Sequence, residues 1–267
     1  LTQRPKLTAV SVDGLNSYFT NYTKYVKDQV FGRDQWIDLQ SLAETTLFQK
    51  TQSGGILLGK EHRMFARRYR VLPSEEKTWN KNLAAVSSLS ERCPGKVSFM
   101  LVPSASTVYP EKLPLAAPQM DEEARINEAA NVVQGGHFIN VLPALYDHKD
   151  EYLYYRTDHH WTTLGAYYAY CKELGLTPFD RSTHTVETAE DFYGTHYSKA
   201  RTWNAEPDTI TWYDLQNKLT IWNVTGPGQP TDGTETGLYD TAKLDVYDKY
   251  AMFLHGNNGL SRVEGDG

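Results

Sequence analysis

The sequence predicts an α/β fold: a mostly parallel sheet with helices on both faces, carrying a small antiparallel insertion. Three observations predict it. Short apolar runs bounded by turn residues alternate with longer stretches of helical periodicity, the order expected of a parallel sheet wrapped in helices. One run, Val97-Ser98-Phe99-Met100-Leu101-Val102, is continuous and apolar enough to be buried on both faces, which places it near the sheet centre. Residues from about 180 to 245 then break the rhythm with period-two segments. With 267 residues and neither an internal repeat nor a low-complexity tract, the chain reads as one domain, 1–267, with a β-rich insertion over 180–245.

The elements follow in order. Residues 1–12 read as an extended lead-in, with Pro5 restricting any helix. Leu15 to Val30 is helical: Tyr18, Tyr22, Tyr25, Val26 and Val30 recur near helical spacing. Gly54 to Gly59 holds a short apolar run between turn residues, a strand. Pro73 to Arg92 is a helix that Ser74 can cap and Cys93-Pro94-Gly95 stops. Met120 to Val133 is another, ended by Gly135-Gly136, before a third strand at Phe138 to Val141. Thr209 to Tyr213 and Leu219 to Asn223 alternate like a hairpin, with a Gly/Pro/Thr-rich loop at Thr225 to Thr236. Tyr250 to Leu254 returns to a strand pattern.

Composition narrows the function. Apolar residues make up 40% and charged residues 22%, enough to build a core and too apolar for disorder. The net charge is -6, and no basic stripe extends beyond Arg67-Arg68-Tyr69-Arg70, which argues against a nucleic-acid partner. The 18 Tyr and 6 Trp suit a polar, sugar-binding cleft as well as a core. No apolar run has the length to span a bilayer, and the chain opens at Leu1 without an initiator Met, the start expected of a processed or excised segment. Cys93 and Cys171 make no disulfide framework; Cys171, in a helix, is expected to be a buried thiol. Two sequons, at Asn21 and Asn223, carry no further weight.

The chemistry concentrates in Tyr154-Tyr155-Arg156-Thr157-Asp158-His159-His160-Trp161-Thr162-Thr163, just before a helix over Leu164 to Leu174. Histidine takes and gives protons near neutral pH, and a neighbouring carboxylate fixes its tautomer. On an extended segment, residues i and i+2 point the same way, so Asp158 and His160 can share a pocket while His159 points away. Thr162 or Thr163 can cap the helix. Asp and His are also common metal ligands, but His62, His137, His148, His184, His196 and His255 show no ligand-like pairing, so no metal or other cofactor is expected.

These residues resemble a family. Thr157 to Thr162 is similar to the signature of the DHHW proteins, relatives of the SGNH-hydrolase-like alginate O-acetyltransferases. Leu58 to Phe65 resembles that group's Gly-Lys-acid-Gly segment, although His62 and Met64 depart from it. Val102-Pro103 with Tyr109 to Pro114, and Phe192 to Lys199, resemble further blocks. The resemblance implies an SGNH-like fold and a Ser-His-Asp site with His160 as base and Asp158 as its orienting partner. Tyr155, Arg156, Trp161 and Tyr109 are candidate substrate contacts. The implied serine belongs to a later strand-to-helix turn; Gly265-Asp266-Gly267 has Gly where Ser is needed, and Ser261 lacks the flanking pattern, so the chain is expected to stop short of its serine. Asn257 or Asn258 is a candidate oxyanion donor by its place after a strand pattern.

Two classes of function follow. One is an extracytoplasmic carbohydrate O-acetyltransferase or acetyl esterase, whose partners would be a carbohydrate polymer or acyl donor and a membrane-bound acyltransferase. The other is a non-catalytic glycan-binding module of the cell envelope, since fold does not settle function.

Overall fold

The computed structural model describes residues 3–7, 11–176, 182, 184–222, 233–246 and 248–265. Its regular elements are α1 (Val12–Asp28), α2 (Arg33–Leu42), β1 (Gln52–Ser53), β2 (Ile56–Leu58), β3 (Met64–Ala66), α3 (Pro73–Arg92), β4 (Ser98–Met100), α4 (Ala105–Val108) and α5 (Glu122–Val132). There follow β5 (His137–Ile139), α6 (Leu142–Asp147), α7 (Thr163–Leu174), β6 (Val186–Phe192), α8 (Thr195–Ala200), β7 (Asp208–Tyr213), β8 (Lys218–Trp222), β9 (Thr234–Gly237) and β10 (Leu260–Glu264).

The expected mostly parallel sheet is not what forms. Among the described residues β4 and β5 make a parallel pair, whereas β1-β2-β3, β6-β7 and β10-β8-β9 are antiparallel. The fold is mixed α/β built from small sheets. The apolar runs that suggested a continuous parallel sheet are only three residues long where they pair, and β2 pairs with β1 and β3 rather than with the parallel pair. β4 is flanked on both faces, but none of residues 97–102 is buried: Ser98 and Val102 are exposed and the rest are half-buried. Phe99, with Leu101 just beyond the strand, packs with Trp79, Leu83 and Val86 of α3 and Ala129 of α5. Met100 and Ile139 face the opposite cluster, with Leu145 of α6 and Tyr168 and Ala169 of α7. Alternation along the strand thus puts helices on both faces of the parallel pair.

The helix ends show their local causes. In α3, Pro73 occupies the first turn, where its missing N–H costs nothing, and Glu75 accepts the Leu72 N–H at 2.7 Å, so Ser74 is not the cap. Asp121 caps α5 by accepting the Ala124 N–H at 2.9 Å. Cys171 is buried in α7, Cys93 is half-buried, and both are free.

The insertion pairs differently from expectation. β7 joins β6, and β8 joins β9 and β10, so β7 and β8 do not form a hairpin with each other. Of the expected loop, Thr234 to Thr236 lie in β9, while residues 225–232 and Asn223 fall outside the described residues. Residues Lys249–Met252 make a 3-10 turn rather than a strand; their apolar side chains are claimed by the Tyr155, Phe192, Ile210 and Trp212 cluster, not by a sheet. Among the described residues no helix is long and apolar enough to cross a membrane.

The core at α6 and α7 gives a direct check. Leu145 is wholly buried and Leu115 wholly exposed. Leu145→Ala is expected to lower the unfolding free energy by about 2–5 kcal/mol, and Leu115→Ala to change it by under about 0.5 kcal/mol, as read by urea denaturation. Equal effects would mean that this core is wrongly drawn.

Candidate active site

The site is built on a tight hairpin. Tyr154 and Trp161 form an antiparallel bridge, the Tyr155 N–H donates to the His160 carbonyl at 3.3 Å, and the Thr162 N–H donates to the Leu153 carbonyl at 2.8 Å. Residues Thr157 to His160 are the bent tip. Thr162, not Thr163, caps α7 by accepting the Gly165 N–H at 3.3 Å.

A second carboxylate holds this tip. Asp208, the first residue of β7, is buried and accepts the Arg156 N–H at 2.7 Å and the Thr157 N–H at 2.9 Å. The hydroxyls of Thr157 and Tyr152 donate to it as well. Thr157 in turn accepts the Gly194 N–H on its hydroxyl at 2.9 Å and the His196 and Tyr197 N–H groups on its carbonyl, each at 3.0 Å. The hairpin tip, β7 and the Gly194–Tyr197 segment are thereby locked together.

Asp158 sits at that junction with its side chain fully buried. Its Oδ1 lies 2.6 Å from His160 Nδ1 and accepts the His160 backbone N–H at 2.9 Å; its Oδ2 accepts the Thr195 N–H at 2.6 Å. The pair meets because the chain bends, letting one carboxylate take both the ring and the amide two residues on; an extended segment is not required. Burial pushes the Asp158 carboxyl up, but the bonds from the His160 ring and from the Thr195 and His160 amides outweigh it, so the group stays well below the usual carboxylate range. An ionised Asp158 accepts only, which puts the proton on His160 Nδ1 and leaves Nε2 as the basic nitrogen. The Tyr250 hydroxyl lies 3.3 Å from Asp158 Oδ1; burial and the nearby carboxylate push its pKa up and keep it a donor.

His160 is half exposed and lines a cavity of about 380 Å³ with His159, Trp161, His196, Ser104 and Ser106. His159 does not point away. Its ring centroid is 3.8 Å from that of His160, and its Nδ1 lies 2.7 Å from the Thr195 hydroxyl. The bend that pairs Asp158 with His160 also turns His159 to the same side. Ser104 and Ser106, whose hydroxyls are 2.8 Å apart, lie at the turn from β4 into α4, the carboxyl end of the parallel pair. Asp158, His159 and His160 offer ligand atoms within 4.8 Å of one another. The 2.6 Å between Asp158 and His160 is a hydrogen-bond distance, shorter than the ~3.3 Å that separates two ligands of a tetrahedral zinc with 2.0 Å bonds. The geometry therefore suits proton transfer better than ligation.

The other candidate residues scatter. Trp161 lines the cavity. Tyr155 is buried among Phe192, Ile210, Trp212 and Met252. Tyr109 is buried beneath the Arg63 guanidinium, 4.3 Å from its ring, and donates to the Glu151 carbonyl. Arg156 lies over Tyr152 and 3.4 Å from Glu206. Asn258 spends its amide on the Leu254 and Gly256 carbonyls, a polar turn, and Ser261 lies exposed on β10. Asp208, Ser104 and Ser106 carried no local sequence signal, because their roles exist only through partners about 50 residues away.

A family model described as "DHHW protein" matches residues 128–266, more than half of the chain, and the chain belongs to that family. A second, "SGNH hydrolase-like domain, acetyltransferase AlgX", matches residues 56–173. The crystal structure of a DHHW family protein from Eubacterium siraeum DSM 15702 is 25% identical with a TM-score of 0.61, over 80% of this chain and 72% of that one. Bacillus cereus PatB1 is 14% identical with a TM-score of 0.50, over 74% and 71%, a likeness of fold alone. The O-acetyltransferase domain of Pseudomonas putida AlgJ is 19% identical over 60% and 66%, with a TM-score, 0.45, too low to carry a shared fold. No curated protein matches the chain.

Two outcomes test the site's construction. A Cβ on Gly194 would meet Asp158, whose carboxyl carbon would lie at 2.7 Å, so Gly194→Ala is expected to cost about 1–3 kcal/mol. Asp208→Ala strips four donors of their acceptor and is expected to cost at least about 3 kcal/mol. Differential scanning calorimetry reads both, and a wild-type melting point in either would contradict the junction described.

Stability should also depend on pH. Burial pushes the His196 imidazole down to about 4. Below about pH 6.5 the unfolded chain takes a proton that folded His196 refuses, so stability falls as pH falls from about 6.5 to about 4. His159, also pushed down by burial, adds to this loss. The Asp158 contribution is present above the ordinary carboxylate pKa and is lost at still lower pH. Urea midpoints from pH 7 to 4 should fall, and less steeply in His196→Leu; parallel curves would exclude a buried neutral His196.

Proposed function

We propose that the chain carries the acid–base pair of a serine-type acyl-transfer site acting on carbohydrate, as an O-acetyltransferase or acetyl esterase. One observation carries this: a buried carboxylate 2.6 Å from Nδ1 of a half-exposed histidine that faces a cavity. The match to a domain described as an acetyltransferase supports it. His160 Nε2 takes the proton of a serine hydroxyl as that oxygen bonds to the acyl carbon. The donor's C–O bond breaks, and His160 returns the proton to the departing oxygen. A sugar hydroxyl or water, deprotonated in turn by His160, then attacks the acyl-serine and regenerates the hydroxyl. Asp158 holds the tautomer and offsets the imidazolium charge throughout. Ser104 and Ser106 are the described serines that line the cavity. The resemblance favours an extracytoplasmic setting, a carbohydrate polymer as acceptor and a membrane-bound acyl-donating partner.

The test is hydrolysis of 4-nitrophenyl acetate by the chain extended past residue 267, where the serine implied by the resemblance is expected; the 267-residue chain itself is expected to be inactive. His160→Ala is expected to abolish it and Asp158→Asn to lower kcat by about 10⁴, while Ser261→Ala leaves the rate unchanged. Alanine variants of Ser104 and Ser106 identify whether either is the attacking hydroxyl. Turnover indifferent to His160→Ala, or lost to a chelator, would overturn the proposal. Saturable glycan binding without turnover would favour the binding module.

A further inference from the structure

His196 has no part in the acid–base pair, yet it stands beside it. It is only 5% exposed, lines the cavity, and its ring centroid is 6.0 Å from that of His159. Its backbone is fixed by the N–H bond to the Thr157 carbonyl. Its Nδ1 is buried with no hydrogen-bond partner. An unpaired buried polar atom is destabilising, and a leucine would fill the same space without that cost. A polar ring kept at such a place has a use other than packing.

The chemistry of the ring says which use. A neutral imidazole has one donor and one acceptor nitrogen. An orphaned buried N–H is rarer than an under-satisfied acceptor, so the sealed Nδ1 is the bare nitrogen and Nε2 carries the proton. The ring then offers one neutral N–H. We propose that His196 is a substrate contact: its Nε2–H donates to the carbonyl oxygen of the acyl group held beside His160. This rests on the acyl-transfer reading above. A neutral donor suits the place. The His159 centroid lies 3.8 Å from that of His160 and 6.0 Å from that of His196, so a second cation here would oppose the imidazolium that His160 becomes during transfer. Burial, which pushes His196 down to about 4, keeps it uncharged at neutral pH.

The experiment is ¹⁵N NMR of the histidine rings in the wild-type chain, titrated with glucose pentaacetate. Expected are a His196 ring protonated on Nε2 at pH 7 and a His196 Nε2 resonance that moves on addition of the probe. His196→Leu should weaken pentaacetate binding about tenfold, and His196→Gln, which keeps an N–H donor at similar reach, should restore most of it. Protonation on Nδ1 would overturn the proposal even if no variant folds. Movement of the His160 resonances with those of His196 unchanged would overturn this proposal alone. Movement of neither would overturn it together with the acyl-site reading.

Discussion

The buried carboxylate of Asp208 is the constraint on which the site depends. Four donors from one stretch of hairpin, the Tyr152 and Thr157 hydroxyls and the Arg156 and Thr157 amides, converge on it. Burying an acid is costly unless its oxygens are filled, and here they are. The arrangement fixes more than its own neighbours. With Thr157 held from below, its carbonyl and hydroxyl are aimed at the Gly194–Tyr197 backbone. That backbone then lays the Thr195 N–H on Asp158. The β-rich insertion is therefore one wall of the site rather than an appendage, since β7 supplies Asp208 and the end of β6 leads into Gly194.

Asp158 shows how competing terms resolve. Burial alone would favour its neutral form, and the side chain is fully buried. Hydrogen bonds to the ionised form from the His160 ring and from the Thr195 and His160 amides reverse the balance, with the Tyr250 hydroxyl a fourth donor. The fold thus spends rigid backbone donors on the acid and leaves the imidazole half in the open. Such a division leaves the imidazole, and not its partner, open to the cavity. Gly194 is required for closeness rather than for an unusual φ, because any side chain there would displace Asp158.

What the sequence made legible was what neighbours in sequence decide. Helical periodicity located α3, α5 and α7, and the Asp-x-His spacing marked the hairpin tip. The apolar character of Val97 to Val102 announced packing on both faces, because alternate residues of one strand meet two helical layers, but not the depth of burial, since the segment is at most half-buried. Strand pairing was not legible. β7 and β8 alternate alike, and only the partners in three dimensions, β6 for one and β9 and β10 for the other, separate them. Tyr250 to Leu254 has the composition of a strand, but Met252 and Tyr250 are drawn into an aromatic cluster, which overrides local propensity. His159 misled for a related reason. Period two holds only on extended backbone, and the tip bends.

The small sheets explain how such a site tolerates so little regular structure. Several separate pieces meet at the cavity, among them β3, the turn leaving β4, the Leu153–Thr162 hairpin and the segment entering α8. None is long enough to be rigid by itself. Each is tied to another by a bond from a backbone group or a buried side chain: the Tyr154 hydroxyl to the Pro103 carbonyl at 2.7 Å, the Met64 N–H to the Arg156 carbonyl at 2.8 Å, and Thr157 to Gly194 and His196. Precision at His160 comes from this cross-bracing and not from a broad sheet. The geometry of Thr157, Asp158, His160 and Gly194 therefore depends little on the strand side chains, because those bonds run mainly through the backbone and through a few short side chains.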